Sequence, residues 1–289
     1  MRNLNEHNIT AETVRRIENT PDSRLQEIMT ALIEHLHDFA REVKLTEAEW
    51  IYAIQFLTRT GHLCTDIRQE FILLSDTLGL SQLVVAQNHS RPVGATEQTV
   101  FGPFHVEGAG RHPPHGFDIA AGIEGIALFV TARVLSDRQP MTGAVVDVWQ
   151  ADAAGFYDVQ GTDWELSQSR LRAVFETDWD GRFSFKTILP KSYPIPTDGT
   201  VGEMLAATRR SPMRPAHIHF RIAKPGYDSL ITHVFVEGDE YLDSDAVFGV
   251  RQSCIGNYVR HGAGVAPDGS TVDHPFYTLD YSFSLVPDD

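Results

Sequence analysis

The sequence predicts a mainly β protein: an antiparallel β-sandwich domain preceded by an N-terminal helical domain. Three observations carry that expectation. Through about the first ninety residues, apolar side chains recur at spacings of three and four, the mark of helices with one apolar stripe. The polar stretch HSRPVGATE, residues 89–97, then breaks the pattern with Pro92 and Gly94 and reads as a linker. Beyond it the period changes to two, in short runs bounded by turn residues, as in a sandwich. The expected domains are residues 1–95, helices and linker, and residues 96–289, the sandwich.

Composition narrows the partners. The 289 residues suffice for a large core or for two domains, and the 42% hydrophobic content is that of a folded globular chain. A formal net charge of -15 argues against nucleic acid and anionic membranes. Cys64 and Cys254 are too few for a disulfide framework or a thiolate metal cage. With a polar MRNLNEHNIT start that lacks a signal-peptide core, they point to a reducing, cytoplasmic home. No apolar run reaches the roughly 20 residues needed to span a bilayer.

In the helical front, Leu25, Ile28, Met29, Leu32, Ile33, Leu36 and Phe39 form one stripe. Thr46 followed by Glu49 is a capping box, opening a helix with Ile51, Ile54 and Leu57 on its inner side. A third helix is expected from Thr65 to about Leu74. These helices are apolar enough to join two copies of the chain, so a homodimer through them is expected.

Strands are expected at Gly125–Leu135, Ala144–Trp149, Leu171–Thr177, Arg182–Ile188, His217–Ala223, Leu230–Glu237 and Tyr277–Leu285. Asp180-Gly181 and Pro225-Gly226 supply turns. The helical content of this half should be slight.

The stretch RPAHIHFRI, residues 214–222, sets His217 and His219 two positions apart on a strand. On a strand such residues share a face, with Cα atoms about 6.5–7 Å apart, so two imidazoles can converge on one ion. His35 and His37 have the same spacing inside a helical stripe, where it means nearly opposite faces, so they are surface histidines. A packed, metal-free pair remains the alternative for His217 and His219. If they are ligands, a carboxylate would complete the two-His-one-carboxylate set of Fe(II) oxygenases. Two tyrosines in loops leaving strand ends compete for the role: Tyr157 in DAAGFYDVQ and Tyr193 in LPKSYPIPTDG. Either tyrosine alone is as well explained by packing.

Together VVDVWQADAAGFYDVQ, LPKSYPIPTDGTVG and RPAHIHFRIAKPGY closely resemble the intradiol ring-cleavage dioxygenases, over nearly the whole chain. That resemblance implies non-haem Fe(III) held by Tyr157, Tyr193, His217 and His219. It also implies that O2 and a small aromatic diol or triol are the substrates and that the ring opens between the two hydroxylated carbons. Tyr193 would leave the metal and take up a substrate proton, and Arg214 would stabilise negative charge on the ring. A strand-start surface arginine is the alternative for Arg214. Catechol-cleaving members usually carry glutamine where this chain has His233, which is either a core histidine or a hydrogen-bond donor lining the site.

An apolar slot beside the metal should hold the ring. Val100, Phe101, Gly102, Pro103 and Phe104 suit one wall, with Ile195 and Pro196 another. Leu73 and Asp76 align with ring-facing residues of the family. Asp76 would accept a hydrogen bond from a third ring hydroxyl, or else serve as a helix N-cap. SDTLG, TVFGPFHVEG and EYLDSDAVFGV, the last containing Val247, resemble the hydroxyquinol-cleaving branch most. That implies 1,2,4-trihydroxybenzene as substrate, with 3-hydroxy-cis,cis-muconate and its tautomer maleylacetate as product. Catechol or a chlorocatechol is the rival substrate. The resemblance further implies a homodimer through the helices, with a phospholipid at that interface. A non-catalytic β-sandwich binding module is the reading from another class.

Overall fold

The structure, a computed structural model, describes residues 3–65, 68–161 and 164–288. The chain forms two compact units, Met1–Arg59 and Thr60–Asp289. Its helices are α1 (Ile9–Arg15), α2 (Ser23–Glu42), α3 (Glu47–His62), α4 (Glu70–Thr77), α5 (Leu80–Asn88) and α6 (Thr200–Ala207). No helix among the described residues is long and apolar enough to cross a membrane.

In the first unit, Asp22 caps α2 by accepting from the backbone N–H groups of Arg24 and Leu25. The Thr46–Glu49 capping box is formed in both directions. His37 bonds Thr10 while His35 points to solvent, so the pair shares no site. The stripe itself is not covered. Leu25, Ile28, Leu32, Leu36 and Phe39 are 47–56% exposed, and so are Ile51, Ile54 and Leu57 of α3, at 44–46%. The expected inner side of α3 is therefore an apolar surface.

In the second unit, α4 and α5 precede the strands, and the change from helix to strand lies between Asn88 and Arg111. The third helix starts later than its sequence suggests. The Thr65 N–H donates to the Arg68 carbonyl and its hydroxyl accepts from the Arg68 N–H, while the Arg68 side chain is drawn to Asp198 and Glu70, so the helix opens at Glu70 and runs to Thr77. Residues 66–67 of the expected helix lie outside the described residues.

The early strands are β1 (Arg111–His112), β2 (Phe117–Asp118), β3 (Ala127–Ser136), β4 (Gln139–Pro140) and β5 (Val145–Trp149). Next come β6 (Arg172–Glu176), β7 (Arg182–Ile188), β8 (Tyr193–Pro194), β9 (Met213–Arg214), β10 (His217–Ala223) and β11 (Leu230–Val236). The last are β12 (Ile255–Gly256), β13 (Tyr258–His261), β14 (Gly264–Val265), β15 (Thr271–Val272) and β16 (Phe276–Ser284). One sheet runs β1-β6-β5-β10-β11-β12, the other β13-β16-β3-β7-β2. Their facing sides share one core. Val146, Val148, Phe175, Ile218, Phe220 and Ile222 come from the first sheet, and Leu128, Val130, Phe183, Phe185, Leu279 and Phe283 from the second.

Both sheets are mixed rather than wholly antiparallel. β16 lies parallel to β3 through eight paired residues, because the chain returns to β3 by a long connection, not a hairpin. The Asp180-Gly181 turn carries the chain from one sheet to the other, whereas Pro225-Gly226 joins the neighbours β10 and β11. The sequence reading also missed α6. Its TVGEMLAA has two poor helix formers at the start, and burial of Val201 and Leu205 decides the matter.

Candidate metal centre and ring cavity

Alternation along β10 builds the site. Ile218, Phe220 and Ile222 enter the core, which turns His217, His219 and Arg221 to the outer face of their sheet. In register, His219 lies opposite Trp149 on β5 and His233 on β11. The Trp149 indole stacks on the His219 ring, with centroids 4.7 Å apart.

The loop after β5 delivers Tyr157. Asp152 Oδ1 accepts from the N–H groups of Ala154 and Phe156, folding the loop tightly, and Tyr157 N–H donates to Gln160 Oε1. Next to it, Asp158 is buried against Arg172, which also donates to the Phe104 carbonyl. Phe104 stacks on the Tyr157 ring at 4.4 Å. Gly155, at φ 89°, has no room for a side chain: a Cβ there would lie 2.6 Å from Tyr193 Cβ. Tyr193 itself pairs with Arg214 across β8 and β9.

These four side chains meet. Tyr193 Oη is 3.1 Å from Tyr157 Oη, Tyr157 Oη is 2.8 Å from His219 Nε2, and His219 Nε2 is 3.1 Å from His217 Nε2. All four residues are buried, none more than 6% exposed. The His217 Nδ1–H donates to the Pro215 carbonyl at 2.6 Å, so its Nε2 lone pair faces the cluster. Burial, then the neighbouring Arg214 cation, pushes the His217 pKa well below its ordinary value. Burial and then His217 do the same to His219. Both imidazoles are therefore neutral, the form that binds a metal.

The donor set fits a transition-metal ion. Successive donors 2.8–3.1 Å apart have the spacing of adjacent ligands on an ion with bonds of about 2.0–2.2 Å. Without a cation, burial and then the Tyr193 hydroxyl drive the Tyr157 pKa well above that of a free phenol. A bound cation reverses that balance and favours phenolate. Among the described residues, the acidic and thiol groups contribute nothing here: only His217, His219 and His233 group as candidate ligands of those types. The two-His-one-carboxylate alternative therefore has no carboxylate to complete it.

Arg214 is 4% exposed and is held by Asp245, its Nε donating to Oδ1 at 3.1 Å. Burial works against its charge, but Asp245 and the phenols outweigh that and raise its pKa. It is no surface arginine. Its Nη1 lies 3.4 Å from His217 Nε2 and its Nη2 3.5 Å from His233 Nε2. His233 is fully buried and bonds Thr99 through Nδ1, so both of its nitrogens are engaged away from the phenols.

Beside Tyr193 opens a cavity of about 540 Å³. Leu73, Asp76, Pro103, Phe104, Ile195 and Pro196 line it, six of the residues expected at the ring slot. Val100, Phe101, Gly102 and Val247 are not in its lining. Gly102, at φ 74°, places its Cα edge against His219, Phe101 packs on Trp149 and His105, and Val100 is buried. Val247 is buried, and its N–H donates to Asp245. Asp76 sits in the last turn of α4 and is 5% exposed, so it is not an N-cap. Burial raises its pKa, against the pull of Ser81 and Arg214.

Sequence reasoning gave no role to Asp245, Thr99 or Trp149. The usable signal was chemical: a buried arginine needs a carboxylate.

Comparisons with known proteins place the chain among relatives. Residues 22–96 match the family described as "Catechol dioxygenase N terminus", and residues 102–288 match "Dioxygenase". A 6-chlorohydroxyquinol 1,2-dioxygenase of Cupriavidus pinatubonensis is 54% identical, covering 99% of both chains. A hydroxyquinol 1,2-dioxygenase of Nocardioides simplex is 47% identical over 98% of this chain and 96% of its own. The crystal structure of hydroxyquinol 1,2-dioxygenase from Pseudomonas putida superposes with a TM-score of 0.90 at 45% identity, covering 98% of this chain and 99% of that one. A non-catalytic sandwich module is thereby set aside, and the chain belongs to the intradiol ring-cleavage dioxygenases.

Proposed function

We propose that this dioxygenase opens hydroxyquinol, 1,2,4-trihydroxybenzene, between its adjacent hydroxylated carbons. Both atoms of O2 enter the product, 3-hydroxy-cis,cis-muconate, which tautomerises to maleylacetate. The observation that carries the reading is the meeting of two phenols and two neutral imidazoles beside a cavity whose lining includes the buried carboxylate Asp76. The relatives named above act, by their names, on hydroxyquinol or its 6-chloro derivative, and both rings are triols.

Tyr157, Tyr193, His217 and His219 would hold non-haem Fe(III). That ion supplies Lewis acidity, lowering the pKa of the substrate hydroxyls and drawing electron density from the ring so that a ring carbon can react with O2. The protein does the rest. With the ion bound, Tyr193 would stand as a phenolate on the cavity wall, where its Oη could take up a substrate proton. Arg214, fixed by Asp245 and 3.4 Å from His217 Nε2, would bring a positive charge close to the ring held beside the donor cluster. Leu73, Ile195 and Pro196 exclude water around the ring. Asp76 accepts a hydrogen bond from the third hydroxyl, which catechol lacks.

The reading includes a homodimer through the N-terminal helices with a phospholipid at the interface. The exposed stripes of α2 and α3 support it, since monomers rarely leave such a surface uncovered.

The test is turnover of iron-replete protein with hydroxyquinol and with catechol, following ring-cleaved product because hydroxyquinol autoxidises. Preferential formation of maleylacetate is expected. Faster conversion of catechol to muconate would retain the metal site and reject the substrate assignment.

A further inference from the structure

One buried carboxylate outside the donor cluster is placed where it controls the cavity. Glu70 opens α4 and is 1% exposed. Its Oε1 accepts from the Val201 N–H at 3.1 Å and lies 3.4 Å from the Thr200 hydroxyl. It thus caps the start of α6, whose own N-cap residue, Gly199, offers no side chain. Its Oε2 accepts from Arg68 Nη2 at 2.9 Å, and Arg68 forks onto Asp198 at 2.8 and 2.9 Å. The backbone lies directly on this pair. A Cβ on Gly199 would come 2.3 Å from Glu70 Oε1 and 2.8 Å from Arg68 Nη2. Its φ of -120° is ordinary extended backbone, so space alone demands glycine.

The anchored segment is the one that carries Tyr193 and a wall of the cavity. Tyr193, Ile195 and Pro196 face the cavity from this segment, and Leu73 and Asp76 face it from α4. At its other end the segment is pinned by Ser192, which donates to Asp239 at 2.6 Å, and by the Tyr193–Arg214 pairing. Between them the Ile195 N–H donates to the Pro212 carbonyl at 2.9 Å, whereas Pro196 has no N–H to donate, so the stretch from Pro196 to Gly199 takes its position from the α6 end.

We propose that Glu70 is a positioning residue for ring selection. By capping α6 and holding Arg68 on Asp198, it fixes the distance between Pro196 and Leu73–Asp76. That distance decides how well a third ring hydroxyl reaches Asp76. The proposal rests on the ring-cleavage reading above and extends it to a carboxylate in the cavity lining that lies outside the donor cluster.

The experiment compares the full-length, iron-loaded protein with Glu70→Gln, which keeps size but removes the charge, and with Gly199→Ala, which strains the same contact from the loop side. Hydrogen–deuterium exchange needs no turnover. Peptides covering residues 193–199 should exchange faster in both variants, with β10 unchanged. The ratio of kcat/KM for hydroxyquinol over catechol should fall about three- to tenfold, mainly through KM, the scale of losing a good helix cap. Unchanged exchange with an unchanged ratio overturns the proposal. So does an equal loss on both diols, which marks a merely structural role. If the unaltered protein cleaves neither diol, the substrate reading fails while the exchange data still judge the anchoring. Should Glu70→Gln not fold, Asp198→Asn, at an exposed position, carries the same comparison.

Discussion

Arg214 and Asp245 form an ion pair at 3.1 Å in which both side chains are nearly sealed from water, at 4% and 2% exposure. The pair aims the guanidinium at His217 and His233. Asp245 also accepts from the backbone N–H groups of Val247 and Gly249, so the carboxylate is itself rigidly held. Asp245→Asn leaves the arginine charge buried without its counterion, which costs about 3–5 kcal/mol. Denaturant unfolding should register that loss. Arg214→Met removes both charges' mutual support from the other side and should lower kcat by about 100-fold, the scale for a lost electrostatic donor. A kcat within twofold of the unaltered enzyme would show that Arg214 takes no part in the chemistry.

The proposed ligation of Fe(III) by two phenols has a visible signature. Phenolate ligated to Fe(III) absorbs visible light, so the iron-loaded protein should be coloured and bleach on chelation or reduction. Tyr157→Phe removes one donor from a cluster spaced at 2.8–3.1 Å. Iron affinity should fall at least about tenfold and the visible band weaken. The fold should lose only about 1 kcal/mol, the net worth of an ordinary hydrogen bond. Iron content by mass spectrometry, read beside the absorption spectrum, decides it. Full iron with an unchanged band would remove Tyr157 from the ligand set.

Gly102 offers a sharper probe of His219. Its φ of 74° disfavours any side chain, and an added Cβ would lie 3.3 Å from His219 Cε1. Gly94, at φ 95°, has nothing within 4 Å of such a Cβ. Both alanine variants carry the backbone penalty, about 1 kcal/mol. Only Gly102→Ala should also displace the imidazole, and with it lower iron occupancy. Equal iron in the two variants would mean that the His219 ring is free to yield.

How much of this was legible in the sequence depends on how local the signal was. The period-two alternation of His217–Ala223 gave its strand limits and its polar face, because a strand's two faces follow directly from the order of residues. The capping box at Thr46 and Glu49 is equally local. Tyr157 and Tyr193 are 36 residues apart, and no spacing rule brings their hydroxyls to 3.1 Å; only the family resemblance did. Helix α6 and the late start of α4 were missed for one shared reason. Glu70 and Arg68 reach 130 residues along the chain to Thr200 and Asp198, and those contacts outweigh local propensity. The parallel entry of β16 beside β3 is likewise a matter of long-range pairing.

Asp76 ties substrate choice to stability. As a buried carboxylate with a raised pKa, it binds its proton more tightly folded than unfolded. Its contribution therefore favours the folded state at low pH and is lost as the pH rises from the unfolded value of 3.8 through the raised folded one. At neutral pH the ionised group opposes folding. Asp76→Asn removes that opposition, so the variant should be the more stable one at pH 7.5, with its advantage shrinking as the pH falls through the raised value. The same change removes the acceptor proposed for the third hydroxyl. The kcat/KM for hydroxyquinol should drop about 10- to 100-fold, the range for a hydrogen bond to a charged group, with catechol little affected. Unfolding midpoints across pH and kinetics on both diols test the two halves separately. A variant that is more stable yet equally selective would leave Asp76 a buried acid without a role in ring choice, and selection would have to come from the apolar wall alone.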